Sequence, residues 1–290
     1  LAPCATPPIA TTGAVRSMVK CTSAWLELPA SSLATTSSVW CPSVPTEAPG
    51  KAVNVAGAPH VLYVGDSVAQ ALARIAVADP ARIGINPIDR TMPGCSQVAQ
   101  GVEASNFAGV PFSPSTCVAD PAGLAAATHP DAVFLLVGAR PNDYLKLDGE
   151  WRQACDPVWD QHFREVMGGV VRGLASTGAP VVMGTILRTS ANALPVEGAQ
   201  DRIDCVNRIL PRIAADVPGA EVLDLNELVC PGTGPCKEEL DGGTVRPDGV
   251  HYDPGPGGRA VSDWVAAHVL RLAGLTPATG AGATTTTTTP

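Results

Sequence analysis

The sequence predicts an α/β domain built on a mostly parallel sheet with helices on both faces. Short apolar runs rich in β-branched residues recur at His60–Val64, Ala132–Val137, Pro180–Thr185 and Ala220–Leu225. Between them lie longer stretches with apolar residues at helical spacing. Strands alternating with helices argue for parallel pairing, because each crossover needs a helix and each helix covers the sheet it crosses.

The elements follow in chain order. His60–Val64 is the first strand, and Val68–Ala78, apolar except for Gln70 and Arg74, is the helix behind it. A second strand region lies around Ile83–Ile88, ahead of the turn Thr91-Met92-Pro93-Gly94-Cys95. Pro157–Ser176 carries Trp159, Phe163, Met167, Val170 and Leu174 at helical spacing. Ala199–Val217 does the same with Ile203, Val206, Ile209 and Ile213, and Pro211 is expected to kink it. The last helix, Gly258–Ala273, lines up Val261, Trp264, Val265, His268 and Leu272. No internal repeat is visible.

The two ends differ from the middle. Residues 1–58 are rich in Ser, Thr, Pro and Ala but hold Trp25, Trp40, Cys21 and Cys41, and read as an extension that packs onto something. A Cys21–Cys41 disulfide would staple it. Residues 59–275 form the regular domain. Residues 276–290, ending in six threonines and a proline, have nothing to bury and are expected to be a disordered tail.

Composition removes several classes of function. With 45% hydrophobic and 16% charged residues in 290, a single large core is possible and wholesale disorder is not expected. The formal charge of -8 offers no basic footprint for nucleic acid or an anionic membrane. No apolar run approaches the roughly 20 residues that span a bilayer. Nine cysteines are scattered without a C-x-x-C pair, which disfavours zinc ribbons and redox motifs; neither metal nor cofactor is expected. Isolated cysteines point to disulfides and hence to an extracytoplasmic location, secreted, periplasmic or membrane-tethered. The odd count leaves one over, read as Cys4 in its Pro- and Thr-rich end. Fifteen arginines against four lysines, with abundant Ala and Pro, suggest a high-GC bacterial source.

The chemistry gathers at two places. The first strand ends in Val64-Gly65-Asp66-Ser67 and a helix starts at once, which puts Ser67 where unpaired backbone N–H groups and the helix dipole stabilise negative charge. The bland reading is a helix cap. Near the other end stands Arg246-Pro247-Asp248-Gly249-Val250-His251-Tyr252. A serine hydroxyl is a poor nucleophile without a base that a third group orients. The Asp248–His251 spacing lets the carboxylate hold one imidazole nitrogen while the other faces Ser67.

Together, Gly-Asp-Ser after the first strand and Asp-Gly-Val-His before the last helix resemble the SGNH/GDSL hydrolase superfamily over about residues 58–275. The resemblance implies a three-layer α/β/α fold with a flavodoxin-like sheet. It also implies an acyl-serine mechanism with Ser67 as nucleophile, His251 as general base and acid, and Asp248 orienting it. Oxyanion donors would be the Ser67 N–H, the Gly94 N–H and a side chain from the third block, ordinarily Gly-x-Asn-Asp. Here the chain departs from the pattern, with Gly138-Ala139-Arg140-Pro141-Asn142-Asp143: strict register selects Arg140, and a loop longer by two selects Asn142.

The departure, with Pro93-Gly94-Cys95, Asp148-Gly149-Glu150-Trp151, Cys205-Val206-Asn207 and Cys230-Pro231, is most similar to the extracytoplasmic SGNH domains fused to membrane O-acyltransferases. That likeness implies an acyl donor, a carbohydrate acceptor in the cell envelope, and a membrane acyltransferase domain in the same full-length protein. It further implies the disulfides Cys95–Cys117, Cys155–Cys205 and Cys230–Cys236. Whether water or a sugar takes the acyl group is left open, between esterase and transferase. Two other readings stand beside it: a non-catalytic glycan- or partner-binding module on the same fold, and a secreted GDSL esterase unrelated to acyltransferases.

Overall fold

The computed structural model describes residues 54–137, 142–188, 190 and 196–278. The extension to residue 53, with Cys4, Cys21 and Cys41, and the tail from 279 lie outside the described residues, as does Arg140.

The chain runs β1 (His60–Gly65), α1 (Ser67–Ala78), α2 (Pro80–Ile83), β2 (Asn86–Thr91), β3 (Ala104–Ser105), β4 (Pro111–Phe112), α3 (Pro121–Thr128) and β5 (Ala132–Leu136). It continues through β6 (Tyr144–Leu147), β7 (Glu150–Arg152), α4 (Pro157–Leu174), β8 (Val181–Gly184), α5 (Ala199–Asp216), β9 (Ala220–Leu223) and α6 (Asn226–Val229). The hairpin β10 (Glu239–Leu240) and β11 (Gly243–Thr244) precedes α7 (Pro256–Leu272).

Five strands form the central sheet in the order β2-β1-β5-β8-β9, every neighbouring pair parallel. This is the doubly wound, flavodoxin-like order, in which the first βα unit winds one way and the rest the other. The reason is burial. Val61, Tyr63, Phe134 and Leu136 face α1 and α7, while Leu62, Val64, Val133 and Leu135 face α4 and α5, so the inner strands are apolar on both faces. The α/β/α layering is therefore as expected.

Three helices start on the same local device. Asp79-Pro80, Asp120-Pro121 and Asp156-Pro157 each place a carboxylate at the N-cap and a proline at the first helical position, where the missing N–H costs nothing. In α4 this aligns Trp159, Phe163, Met167, Val170 and Leu174 on the sheet side, with the Trp159 and Phe163 rings stacked at 5.2 Å.

The structure corrects the second strand. Asp79 and Pro80 make residues 80–83 a helical turn, closed by Gly84 in the left-handed region (φ 67°), so the strand begins only at Asn86. Its Pro87 is tolerated because β2 is an edge strand. Asn86 binds the incoming chain, accepting from Val55 N and donating to the Val55 and Ala58 carbonyls. Helix α5 runs through Pro211 as one element. A small antiparallel sheet, β4-β3-β6-β7, was not foreseen: its strands are two to four residues long and too short to show periodicity.

Three disulfides close this unit, and they are the three pairs the resemblance implies: Cys95–Cys117, Cys155–Cys205 and Cys230–Cys236. By chain entropy the six-residue separation of the last stabilises by about 2 kcal/mol and the 50-residue separation of Cys155–Cys205 by about 4 kcal/mol. Among the described residues no helix is long and apolar enough to cross a membrane.

Candidate active site

A cleft of about 770 Å³ opens beyond the carboxyl ends of the parallel strands, where ligands bind in sheets of this kind. Ser67, Gly94 and Asn142 reach it from the ends of β1, β2 and β5, Thr185 and Ile186 from the end of β8, and His251 from the loop before α7.

Ser67 is not the cap of α1. Asp66 is: its Oδ1 accepts from Val68 N at 2.9 Å. Ser67 becomes the first helical residue, whose N–H has no intrahelical acceptor, and its hydroxyl is released from capping. The hydroxyl lies 2.8 Å from His251 Nε2. His251 Nδ1 lies 2.6 Å from Asp248 Oδ2. An ionised carboxylate only accepts, so Nδ1 carries the proton and Nε2 is left to accept from the serine.

Asp248 divides its work between its two oxygens. Oδ2 holds the imidazole, and Oδ1 accepts from the backbone N–H groups of Val250 (2.9 Å) and His251 (2.7 Å). One carboxylate thus fixes both the ring and the loop that carries it. Partial burial pushes its pKa up, but the His251 side chain and these two N–H groups outweigh that and hold it below the usual aspartate range.

A depressed native pKa means that the unfolded chain binds more protons on acidification. The stabilisation is therefore present above the ordinary aspartate pKa of about 4 and lost as pH falls through the native value. Asp248→Asn is expected to lower Tm modestly at neutral pH, with the gap to the wild type narrowing below that value. A gap that stays constant down to strongly acidic pH in thermal melts would contradict the ion pair.

Gly94 lies in the turn after β2 with φ 71°, a conformation that suits glycine, and lines the cleft. Asn142 also lines it. Its Oδ1 accepts from Arg202 Nε at 3.0 Å, and since a guanidinium can only donate, this fixes the amide orientation and leaves Nδ2 as the donor end. The structure thus brings Ser67, Asp248, His251, Gly94 and Asn142 to one cleft.

The other four histidines make structural contacts: His60 with Asp131, His162 with the Val98 carbonyl, His268 with the Trp264 carbonyl, and His129 as the C-cap of α3, its backbone N–H donating to the Ala125 carbonyl. Among the described residues no cluster of His, Cys, Asp or Glu is placed to hold a metal ion.

Two features of the site carried no legible signal. Gly65, ahead of the Asp-Ser pair, has φ 143° and packs against the Leu136 carbonyl; any strand-ending glycine reads the same way in sequence. Arg246 lines the cleft while only 5% exposed; nothing in the sequence separates it from a surface arginine.

No protein-family model and no curated protein sequence matches the chain. Solved structures resemble it at low identity. A lipolytic protein assigned to the G-D-S-L family from Desulfitobacterium hafniense DCB-2 is 12% identical, covering 72% of this chain and 98% of its own, at a TM-score of 0.44. The acetyl xylan esterase AlAXEase is 17% identical, over 72% and 99% of the two chains, with a TM-score of 0.41. The salicylyl-acyltransferase SsfX3 of a tetracycline biosynthetic pathway is 16% identical, over 77% and 57%, with a TM-score of 0.45. These likenesses concern architecture; the chemistry is read from the atoms of the cleft.

Proposed function

We propose that this chain is an extracytoplasmic serine-dependent acyl-transfer enzyme of the SGNH type, acting on cell-envelope carbohydrate through an acyl-serine at Ser67. The observation that carries the reading is the unbroken chain from Ser67 Oγ through His251 to Asp248, at 2.8 and 2.6 Å. In this mechanism His251 Nε2 takes the hydroxyl proton as Oγ attacks the acyl carbonyl. The tetrahedral intermediate collapses with loss of the donor's alkoxide, which receives that proton from His251. The acceptor hydroxyl or water then gives its proton to His251 and attacks the acyl-serine, and Ser67 regains a proton as it leaves.

The developing oxyanion falls to the Ser67 and Gly94 N–H groups with a donor from the third block, Asn142 Nδ2 or Arg140. Three disulfides favour an oxidising compartment. The SGNH likeness of the two motifs, and that of the Pro93-Gly94-Cys95 turn to acyltransferase-fused domains, favours an acyl donor delivered by a membrane acyltransferase domain of the same full-length protein.

Two measurements test the reading. A fluorophosphonate is expected to add to the peptide bearing Ser67, detected by mass spectrometry; a folded protein that stays unlabelled indicates a non-catalytic binding module instead. Incubation with an acyl donor and an envelope glycan is expected to give acylated sugar, whereas release of free acid alone assigns a hydrolase.

A further inference from the structure

Arg246 lies two residues ahead of Asp248 and lines the cleft. It is the one Lys or Arg among the described residues lining that cleft, which is otherwise bordered by Asp66, Asp143 and Asp248. At 5% exposure it is as buried as many core side chains. A guanidinium has five N–H donors and cannot shed its charge, so burial normally comes with a carboxylate partner. Among the described residues none lies within ion-pair distance. The hydrogen bond that Arg246 makes runs from Nη2 to the Arg188 carbonyl at 3.1 Å. Glu238 and Asp248 are near enough to favour its charge, yet burial is the larger influence and pulls its pKa down.

That one hydrogen bond leaves most of the five guanidinium N–H donors without a hydrogen-bond partner among the described residues. The Tyr252 hydroxyl, on a second residue lining the cleft, is buried without a hydrogen-bond partner among the described residues. The support beneath Arg246 is firm: the Arg188 N–H donates to Asn226 Oδ1, Arg188 Nη2 donates to the Cys230 carbonyl, and Cys236 Sγ sits 3.6 Å from the Arg188 carbonyl. The Cys230–Cys236 disulfide thus anchors the carbonyl that orients the arginine.

We infer that Arg246 is the specificity residue for an anionic group, a carboxylate or a phosphate, on the substrate that enters this cleft. The inference deepens the acyl-transfer reading and rests on it. An anion would meet the unfilled N–H groups in a charge-assisted, bidentate contact. With a net charge of -8 on the chain and three aspartates on the cleft wall, long-range steering of an anion is unfavourable. Recognition is therefore by contact.

The anion can sit on the acyl half or on the alcohol half of the ester, and matched pairs tell these apart. Mono-4-nitrophenyl succinate against its methyl ester places the charge on the acyl side; 4-acetoxybenzoate against its methyl ester places it on the alcohol side. In one pair the wild type is expected to favour the charged ester, and Arg246→Gln to lower the charged-to-neutral ratio of kcat/KM by about tenfold or more, with Arg246→Lys intermediate. A fall in kcat/KM that is equal for charged and neutral esters would mark Arg246 as structural and overturn the inference. So would a wild type indifferent to charge in both pairs, an outcome that needs no variant to fold. Calorimetric titration with succinate separates the two readings: if no ester turns over, acyl transfer falls. Succinate binding that disappears in folded Arg246→Gln still supports the anion site, and binding that persists unchanged overturns it.

Discussion

Ser67→Ala and His251→Ala are each expected to lower kcat for an activated acetyl ester by roughly ten-thousandfold to a millionfold, and the double variant to be no worse than either single one. The non-additivity follows from the geometry. The hydroxyl at 2.8 Å from Nε2 is activated only by that imidazole, so a base without its nucleophile, or a nucleophile without its base, supplies nothing. Asp248→Asn is expected to cost about a thousandfold to ten-thousandfold, because an amide can present its N–H to Nδ1 and so favour the wrong tautomer. What survives in all variants is the part due to backbone N–H donors and binding. Steady-state kinetics with circular dichroism as the folding control reads this directly. Losses that multiply in the double variant would show that the two side chains act independently and would sink the mechanism.

Gly65→Ala is expected to be the most damaging single-methyl change near the site. A Cβ at residue 65 would lie 2.0 Å from the Leu136 carbonyl oxygen and 2.8 Å from Ala69 Cβ, at a φ of 143° that side chains rarely adopt. Neither neighbour can yield cheaply: Leu136 is paired with Gly65 across the β1–β5 ladder, and Ala69 is buried in α1. Strain and overpacking of about 1–3 kcal/mol each give a loss of roughly 2–6 kcal/mol. For a domain of this size, that lowers Tm by about 4 °C at the least and more than 10 °C at the upper end. Because Gly65 is next to Asp66, which caps α1, the same substitution would displace Ser67 from His251, so activity in the folded fraction should fall as well. A melt within 2 °C of the wild type would refute the packing argument.

Much of the architecture is legible locally. The apolar runs at 60–64, 132–137 and 180–185 coincide with β1, β5 and β8, the inner strands buried on both faces, that at 220–225 with the edge strand β9, where Glu221 is exposed, and the helical spacing of Trp159, Phe163 and Met167 coincides with α4. These patterns are legible because burial on two faces leaves an uninterrupted apolar signature, and burial on one helical face leaves a periodic one. Where burial is partial, the signature fades. Strand β2 is half-buried at the sheet edge and holds Pro87, so its start is displaced in sequence by the helical turn that Asp79-Pro80 initiates. Strands β3, β4, β6 and β7 are too short to show any period, although the β3–β4 connection brings Phe107, 46% exposed, to the edge of the cleft.

The sequence by itself determined which residue types stand at the carboxyl end of the first strand and ahead of the last helix, because each lies within a few positions of a recognisable local break. The tertiary structure alone decided that they meet. Ser67 and His251 are 184 positions apart, and their approach depends on the whole sheet stacking in the order β2-β1-β5-β8-β9 with α7 laid beside α1. It decided the fate of Arg246 in the same way. Whether an arginine meets a carboxylate, a carbonyl or an open cleft is a matter of what packs around it, and long-range packing leaves no trace in the neighbouring residues of the chain.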